Sequence, residues 1–112
     1  MSIKIFKKED SISRKISDSY SILNFLTSED SDKISLAIGT ARNHNEITQT
    51  TRDRVYYMVE GKIIINDNIE AGSGDVIFIP ANTGYQFKGS FKVVIVNSPP
   101  FKKDNESIYK LW

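Results

Sequence analysis

The stretch that decides the fold is Thr50–Ile65, TTRDRVYYMVEGKIII. Its second half is built from β-branched and aromatic residues, the types that fit a pleated, half-buried surface. RVYYMVE (54–60) and KIIIN (62–66) read as two strands joined at Glu60-Gly61, where glycine supplies a permissive backbone. Successive strand residues face opposite sides. Arg54, Tyr56 and Met58 therefore share one face, and Val55, Tyr57 and Val59 the other. An arginine on an otherwise apolar face calls for an explanation.

Working outward, the same pattern repeats. KISLAIG (33–39) alternates around Ile34, Leu36 and Ile38, while ARNHNEITQTTRD (41–53) reads as a loop and the start of a strand. NDN (66–68) and AGSGD (71–75) are turn signals, and VIFIP (76–80) is a buried strand stopped by proline. YQFKGSFKVVIVN (85–97) gives two strands about a turn at Gly89-Ser90. Towards the N-terminus, SIKIF is a short strand, KKEDSISRKISDS crosses the surface, and YSILNFL (20–26) leans to strand. About eight short strands with regular turn signals indicate an all-β sandwich or barrel. The whole chain, 1–112, reads as one domain: N-terminal strands in 1–33, a core in 34–101 and a tail in 102–112.

The totals exclude several functions. Fifteen Lys+Arg against fourteen Asp+Glu give a net charge of +1, which offers no electrostatic case for nucleic acid. Lys7, Lys8, Arg14 and Lys15 are interleaved with Glu9, Asp10 and Asp18 and read as a solvated face. Without cysteine there are no disulfides or thiolate metal sites. No apolar run reaches the ~20 residues of a membrane helix, and the expectation is a cytoplasmic protein without membrane contact.

With these elements placed, residues 34–101 resemble the cupin superfamily, small jelly-roll β-barrels of the double-stranded β-helix type. The first cupin motif reads His-x-His, three or four residues, Glu, six residues, Gly. RVYYMVEG resembles its end, with Gly61 as the glycine. The second motif reads Gly, five residues, Pro-x-Gly, two residues, His. GDVIFIPANTGY resembles it, with Gly74 and Pro80 in place. The site positions do not match. The glutamate position falls on Arg54, the histidine pair on Thr48 and Thr50 (or Ile47 and Gln49), the second glycine on Asn82 and the last histidine on Tyr85.

A cupin metal needs imidazoles and a carboxylate converging on one ion. Guanidinium has no free lone pair, stays protonated and repels a divalent cation. The resemblance therefore implies a cupin without metal or other cofactor. The expected cavity is aromatic and aliphatic, with ligand-binding residues Arg54, Tyr56, Met58, Thr48, Thr50, Tyr85, Phe87 and Asn82. Arg54 is either an anion anchor or a barrel-lying side chain paired with Asp53, Glu46 or solvent. Tyr85 is an aromatic wall with a bonded hydroxyl, or an acid–base group if Arg54 lowers its pKa. His44, outside the register, reads as a solvated loop residue and a weak catalytic candidate.

The first functional reading is a metal-independent binding protein for a small anionic or sugar-like molecule. A metal-independent isomerase or epimerase of the cupin type is the second. A structural or interaction protein with a plugged barrel is the third. A homodimer through Val55, Tyr57 and Val59 accompanies these readings.

Overall fold

The computed structural model describes residues 2–101 and, as backbone, 106–110. It is all-β, as the alternating patterns require. A short 3-10 turn at Lys8–Asp10 precedes β1 (Ile12–Ser17), β2 (Tyr20–Leu26), β3 (Ser35–Thr50), β4 (Asp53–Ile65), β5 (Ile69–Gly72), β6 (Val76–Ile79), β7 (Thr83–Ser98) and β8 (Glu106–Lys110). The strand order is β1-β2-β3-β7-β4-β5, with β6 on β4 and β8 on β3. Three long strands form the frame, because β7 pairs along its length with both β3 and β4. β2 and β8 take successive halves of β3, and β6 and β5 successive halves of β4.

The long strands differ from the sequence expectation in an informative way. RVYYMVE and KIIIN are one strand. Glu60-Gly61 is not a chain reversal but the corner of a bulge, with a register shift between Met58 and Glu60. That shift moves the buried set from Arg54, Tyr56 and Met58 to Ile63 and Ile65. Gly61 sits at φ +85°, and a Cβ there would collide with the Ser90 carbonyl. Likewise YQFKGSFKVVIVN is one strand that passes through Gly89, and ARNHNEITQT is strand rather than loop.

The flanks also depart from expectation. SIKIF forms no strand, whereas the polar SISRKIS segment does, as β1, with Arg14 and Ile16 half-buried. β6 is not a buried strand: Val76 and Phe78 are exposed while Ile79 points in, as an edge strand allows. The tail contributes β8 against Glu46–Thr50, and its remainder, 102–105 and 111–112, lies outside the described residues. The turn signals hold. Asn66 and Asp67 adopt positive φ in the β4–β5 hairpin, and the Asp75 carboxylate accepts the Gly72 N–H.

Inward residues of β2, β3, β4 and β7 make the core. Tyr20, Met58, Ile63, Phe87, Phe91 and Val93 are its centre. Among the described residues no helix is long and apolar enough to cross a membrane.

Candidate ligand site in the barrel

A cavity of about 370 Å³ opens beside this core, between β1 and β2 on one side and β3, β4 and β7 on the other. Its walls are apolar at Ile16, Ile22, Phe87 and Ile95, and polar at Arg14, Glu46, Arg54, Tyr56 and Asn97. The barrel is thus not plugged: Tyr56 and Phe87 line the space and leave it open, while Met58 packs behind, fully buried.

Arg54 points inward, as alternation along β4 predicts, and is only 5% exposed. Its Nε donates to Asn97 Oδ1 at 2.8 Å and its Nη1 to the Tyr85 hydroxyl at 2.9 Å. Burial alone would lower its pKa. The neighbouring phenols Tyr56 and Tyr85 outweigh that and hold it above the ordinary arginine value. The Tyr85 hydroxyl lies 2.6 Å from that of Tyr56. Burial pushes the Tyr85 pKa well above its ordinary value, with Tyr56 adding to the rise and Arg54 opposing it. Tyr85 is therefore a neutral hydroxyl near pH 7 and not a base.

The direction of this chain follows from counting donors. A guanidinium only donates, so Tyr85 accepts from Arg54. Tyr85 is buried and has no other hydroxyl partner than Tyr56 among the described residues. Its own proton must go to Tyr56 or stay unsatisfied at a cost of ~1–3 kcal/mol. Tyr56 therefore accepts from Tyr85, and its own proton is turned to the cavity it lines. Asn97 is oriented by the same logic. Its oxygen takes the Arg54 N–H, which leaves the amide NH2 for the cavity.

His44 is not a solvated loop residue. It is 1% exposed, inside the barrel on β3. The cause is a bulge: the β3–β7 register shifts between Ala41 and His44, with Asn43 at φ +48°. One extra residue returns the buried set to Ala41, His44, Glu46, Thr48 and Thr50. His44 stacks on Tyr20 with ring centroids 4.8 Å apart. Its Nε2 lies 2.7 Å from Glu46 Oε1 and its Nδ1 2.7 Å from the Ser19 hydroxyl. A carboxylate oxygen accepts, so His44 Nε2 donates to Glu46 Oε1. Both nitrogens are engaged, and it is Glu46, not His44, that reaches the cavity wall.

Of the eight residues expected to bind ligand, Arg54, Tyr56 and Phe87 line the cavity, and Tyr85 and Met58 stand behind it. Thr50 closes the β3–β4 turn through Arg52, and Thr48 is buried with no partner for its hydroxyl among the described residues. Asn82 is not among the residues lining the cavity. It is an exposed turn residue at φ +64° whose N–H donates to the Thr50 carbonyl. The reading by residue type overlooked Glu46, Asn97, Tyr20 and Arg14. The signal for the first was HNE at 44–46: a bulge-prone Asn43 followed by two chemically active residues on one face.

No family model matches the chain, and no curated protein sequence matches it. Solved structures do. Pac13 of Streptomyces, a nucleoside dehydratase also solved with uridine as Tyr-to-Phe and His-to-Gln variants, superposes with TM-scores of 0.79–0.80 at 18–20% identity. The Tyr-to-Phe uridine complex at TM-score 0.80 covers 99% of this chain and 93% of that one. The polyketide cyclase RemF of Streptomyces resistomycificus gives 0.73 at 14% identity, covering 99% of this chain and 87% of its own. KdgF from Halomonas gives 0.72 at 12% identity, covering 92% and 98%. All are cupin-fold proteins, and this chain has that fold.

The fold raises the question of a metal, and the donor set answers it. Among the described residues no three His, Cys, Asp or Glu side chains come together. Arg54, a cation that cannot ligate, stands at the position of the motif's glutamate, and the site residues do not fit a divalent ion.

Proposed function

We propose that this cupin-fold protein is a metal-independent acid–base enzyme acting on a small oxygenated molecule such as a nucleoside or sugar, by proton abstraction beside a carbonyl. The observation that carries this is the buried His44–Glu46 pair, whose carboxylate forms part of the cavity wall. Glu46 is the base and His44 the residue that positions it. The C–H proton goes to Glu46, and the electron pair moves to the carbonyl oxygen, which receives a hydrogen bond from Tyr56 backed by Tyr85 and Arg54. Protonation of the opposite face from water, with Glu46 losing its proton to solvent, gives epimerisation. Passing the abstracted proton to a departing β-hydroxyl gives water and an unsaturated product. The nucleoside dehydratase among the structural relatives supports the second outcome.

Deuterium exchange tests the proposal without knowledge of the product. The protein is incubated in D2O with a panel of oxidised nucleosides and keto or aldehyde sugars, and C–H loss is followed by NMR. Exchange is expected for at least one compound, falling by about 10²-fold or more in Glu46→Gln. His44→Gln is expected to reduce it and shift its pH profile. Absence of exchange across the panel, or exchange indifferent to Glu46, overturns the enzyme reading; saturable binding without exchange restores the binding protein.

The outer sheet face carries a second proposal, a homodimer. Tyr57 lies beside Val76 and Val55 beside Phe78, with Val59 next in line, and this row is largely exposed. Sedimentation of a strict monomer at high concentration would exclude it.

A further inference from the structure

The cavity holds two guanidiniums, and they differ in what they already touch. Arg54 is engaged by Asn97 and Tyr85, deep in the wall. Arg14, on edge strand β1, also lines the cavity but makes no side-chain hydrogen bond or ion pair among the described residues. It is not loose. Its guanidinium carbon sits 5.1 Å from the centre of the Phe101 ring, which gives the planar group a flat support. Phe101 is fixed in turn, its N–H donating to the Ser35 hydroxyl. Both Phe101 and Ser35 belong to the cavity wall.

The charge count points the same way. The ionisable groups lining the cavity among the described residues are Arg14, Arg54, Glu46, Tyr20 and Tyr56. Burial raises the Tyr20 pKa well above its ordinary value, Tyr56 and Glu46 adding to the rise and the two arginines opposing it, so this phenol is neutral. Two cations then face one carboxylate. Arg14 is partly withdrawn from water: burial lowers its pKa, and the Tyr20 and Glu46 neighbours only partly restore it. Besides the Glu46 carboxylate, the groups left with hydrogen-bonding capacity towards the cavity are the Arg14 fork, the Tyr20 hydroxyl, the Tyr56 proton and the Asn97 amide, chiefly donors.

We propose that Arg14, braced on Phe101, is the anion anchor of the cavity, holding a carboxylate or phosphate substituent of the ligand, and that Arg54 is not. The fork geometry of a guanidinium suits either oxyanion. This inference rests on the reading of the cavity as a ligand site. It is independent of Glu46 acting as a base.

Two measurements decide it. In the first, inorganic phosphate is titrated while the Arg14 Nε–H resonance is followed by NMR, with assignment from Arg14→Gln. A saturable shift is expected, and phosphate affinity should drop about tenfold or more in Arg14→Gln but not in the exposed control Arg42→Gln. No saturable shift, or an affinity unchanged by Arg14→Gln, overturns the proposal. In the second, calorimetry compares matched pairs: uridine with uridine 5′-monophosphate, and galactose with galacturonate. The anionic member of a pair is expected to bind about tenfold tighter, an advantage lost in Arg14→Gln. The pair that responds tells phosphate from carboxylate. Neutral members binding as well as anionic ones would overturn the anchor and leave the proposed chemistry standing. Loss of proton exchange in the presence of normal anion preference would do the reverse.

Discussion

Removing the Tyr85 hydroxyl should cost more than its size suggests. Tyr85→Phe keeps the ring and deletes one oxygen that accepts from Arg54 Nη1 and donates to Tyr56. Tyr85 is 4% exposed, so water cannot readily replace either bond. A hydrogen bond to a charged group contributes about 1.5–3 kcal/mol and a neutral one about 0.5–1.5. The expected loss is about 2–4 kcal/mol. Arg54→Met behaves differently. It removes the buried charge along with its bonds but leaves the Asn97 and Tyr85 oxygens without their donor, at a cost of about 1–3 kcal/mol for each unsatisfied group. In that background Tyr85→Phe loses only the bond to Tyr56, about 1 kcal/mol. The double-mutant cycle should therefore show a coupling of about 2 kcal/mol between Arg54 and Tyr85. Urea unfolding followed by far-UV circular dichroism measures it; with a slope of about 1–2 kcal/mol per molar, the midpoint of Tyr85→Phe should fall by about 1–4 M. A cost below about 0.5 kcal/mol, or equal costs in the two backgrounds, would refute the donor chain.

Alkaline pH should destabilise the fold through Tyr20 and Tyr85, whose folded-state pKa values lie above the ordinary 10.0. The unfolded chain releases these protons first, so the stability is fully present below pH ~10 and is lost as pH rises towards the folded values, with a slope of about 1.4 kcal/mol per pH unit for each tyrosine. Urea midpoints between pH 8 and 11 check this, and Tyr85→Phe should reduce the slope; a flat profile counts against burial of the phenols. Asn43→Gly should be close to neutral and Asn43→Val should cost about 1–2 kcal/mol, because the bulge residue has φ +48° and a β-branched side chain resists that region. Equal stability of the two variants would mean the bulge is not held in that conformation.

The fold was legible because its signal is local. Alternation in RVYYMVE and VVIVN, turn residues at Asn66–Asn68, and Gly61 with Pro80 each act within a few residues. The inward set of β4 followed directly from Arg54 by steps of two. The same arithmetic failed wherever a bulge changed parity. Counting through Ala41, Arg42 and Asn43 places His44 outside; the register shift places it inside, beside Glu46. The first part of the chain was obscured for another reason. Arg14 sits among Lys7, Lys8, Lys15 and Asp18, so composition hides that β1 alternates and turns Arg14 and Ile16 towards the cavity. Asn97 could be recognised only after its partner was known, since it lies next to the last residue of β7, two positions from Ile95, with no sequence link to Arg54.

The arginine in TTRDRVYYMVEGKIII has a role beside its two sequence readings. As an anion anchor it would need to present its fork to the ligand; as a surface residue it would need an acidic or solvent partner. The bonds from its Nε and Nη1 run to Asn97 and Tyr85, and both of these groups pass an orientation onward. Asn97 is turned so that its NH2 faces the cavity, and Tyr85 is turned so that Tyr56 offers its proton there. A single buried cation therefore fixes the polarity of two neutral donors at once, and those donors, having no other partner in the cavity among the described residues, are complementary to a ligand oxygen. A metal ion in this fold would present its charge directly to the ligand. Here the charge is set behind hydroxyl and amide groups, which favours an oxygen gaining negative charge without binding a free anion in its place. For the proposed proton abstraction, this places neutral donors where the oxyanion would develop. In the proposed site the role of holding a preformed negative charge belongs to Arg14, on a different strand and with Phe101 as its support.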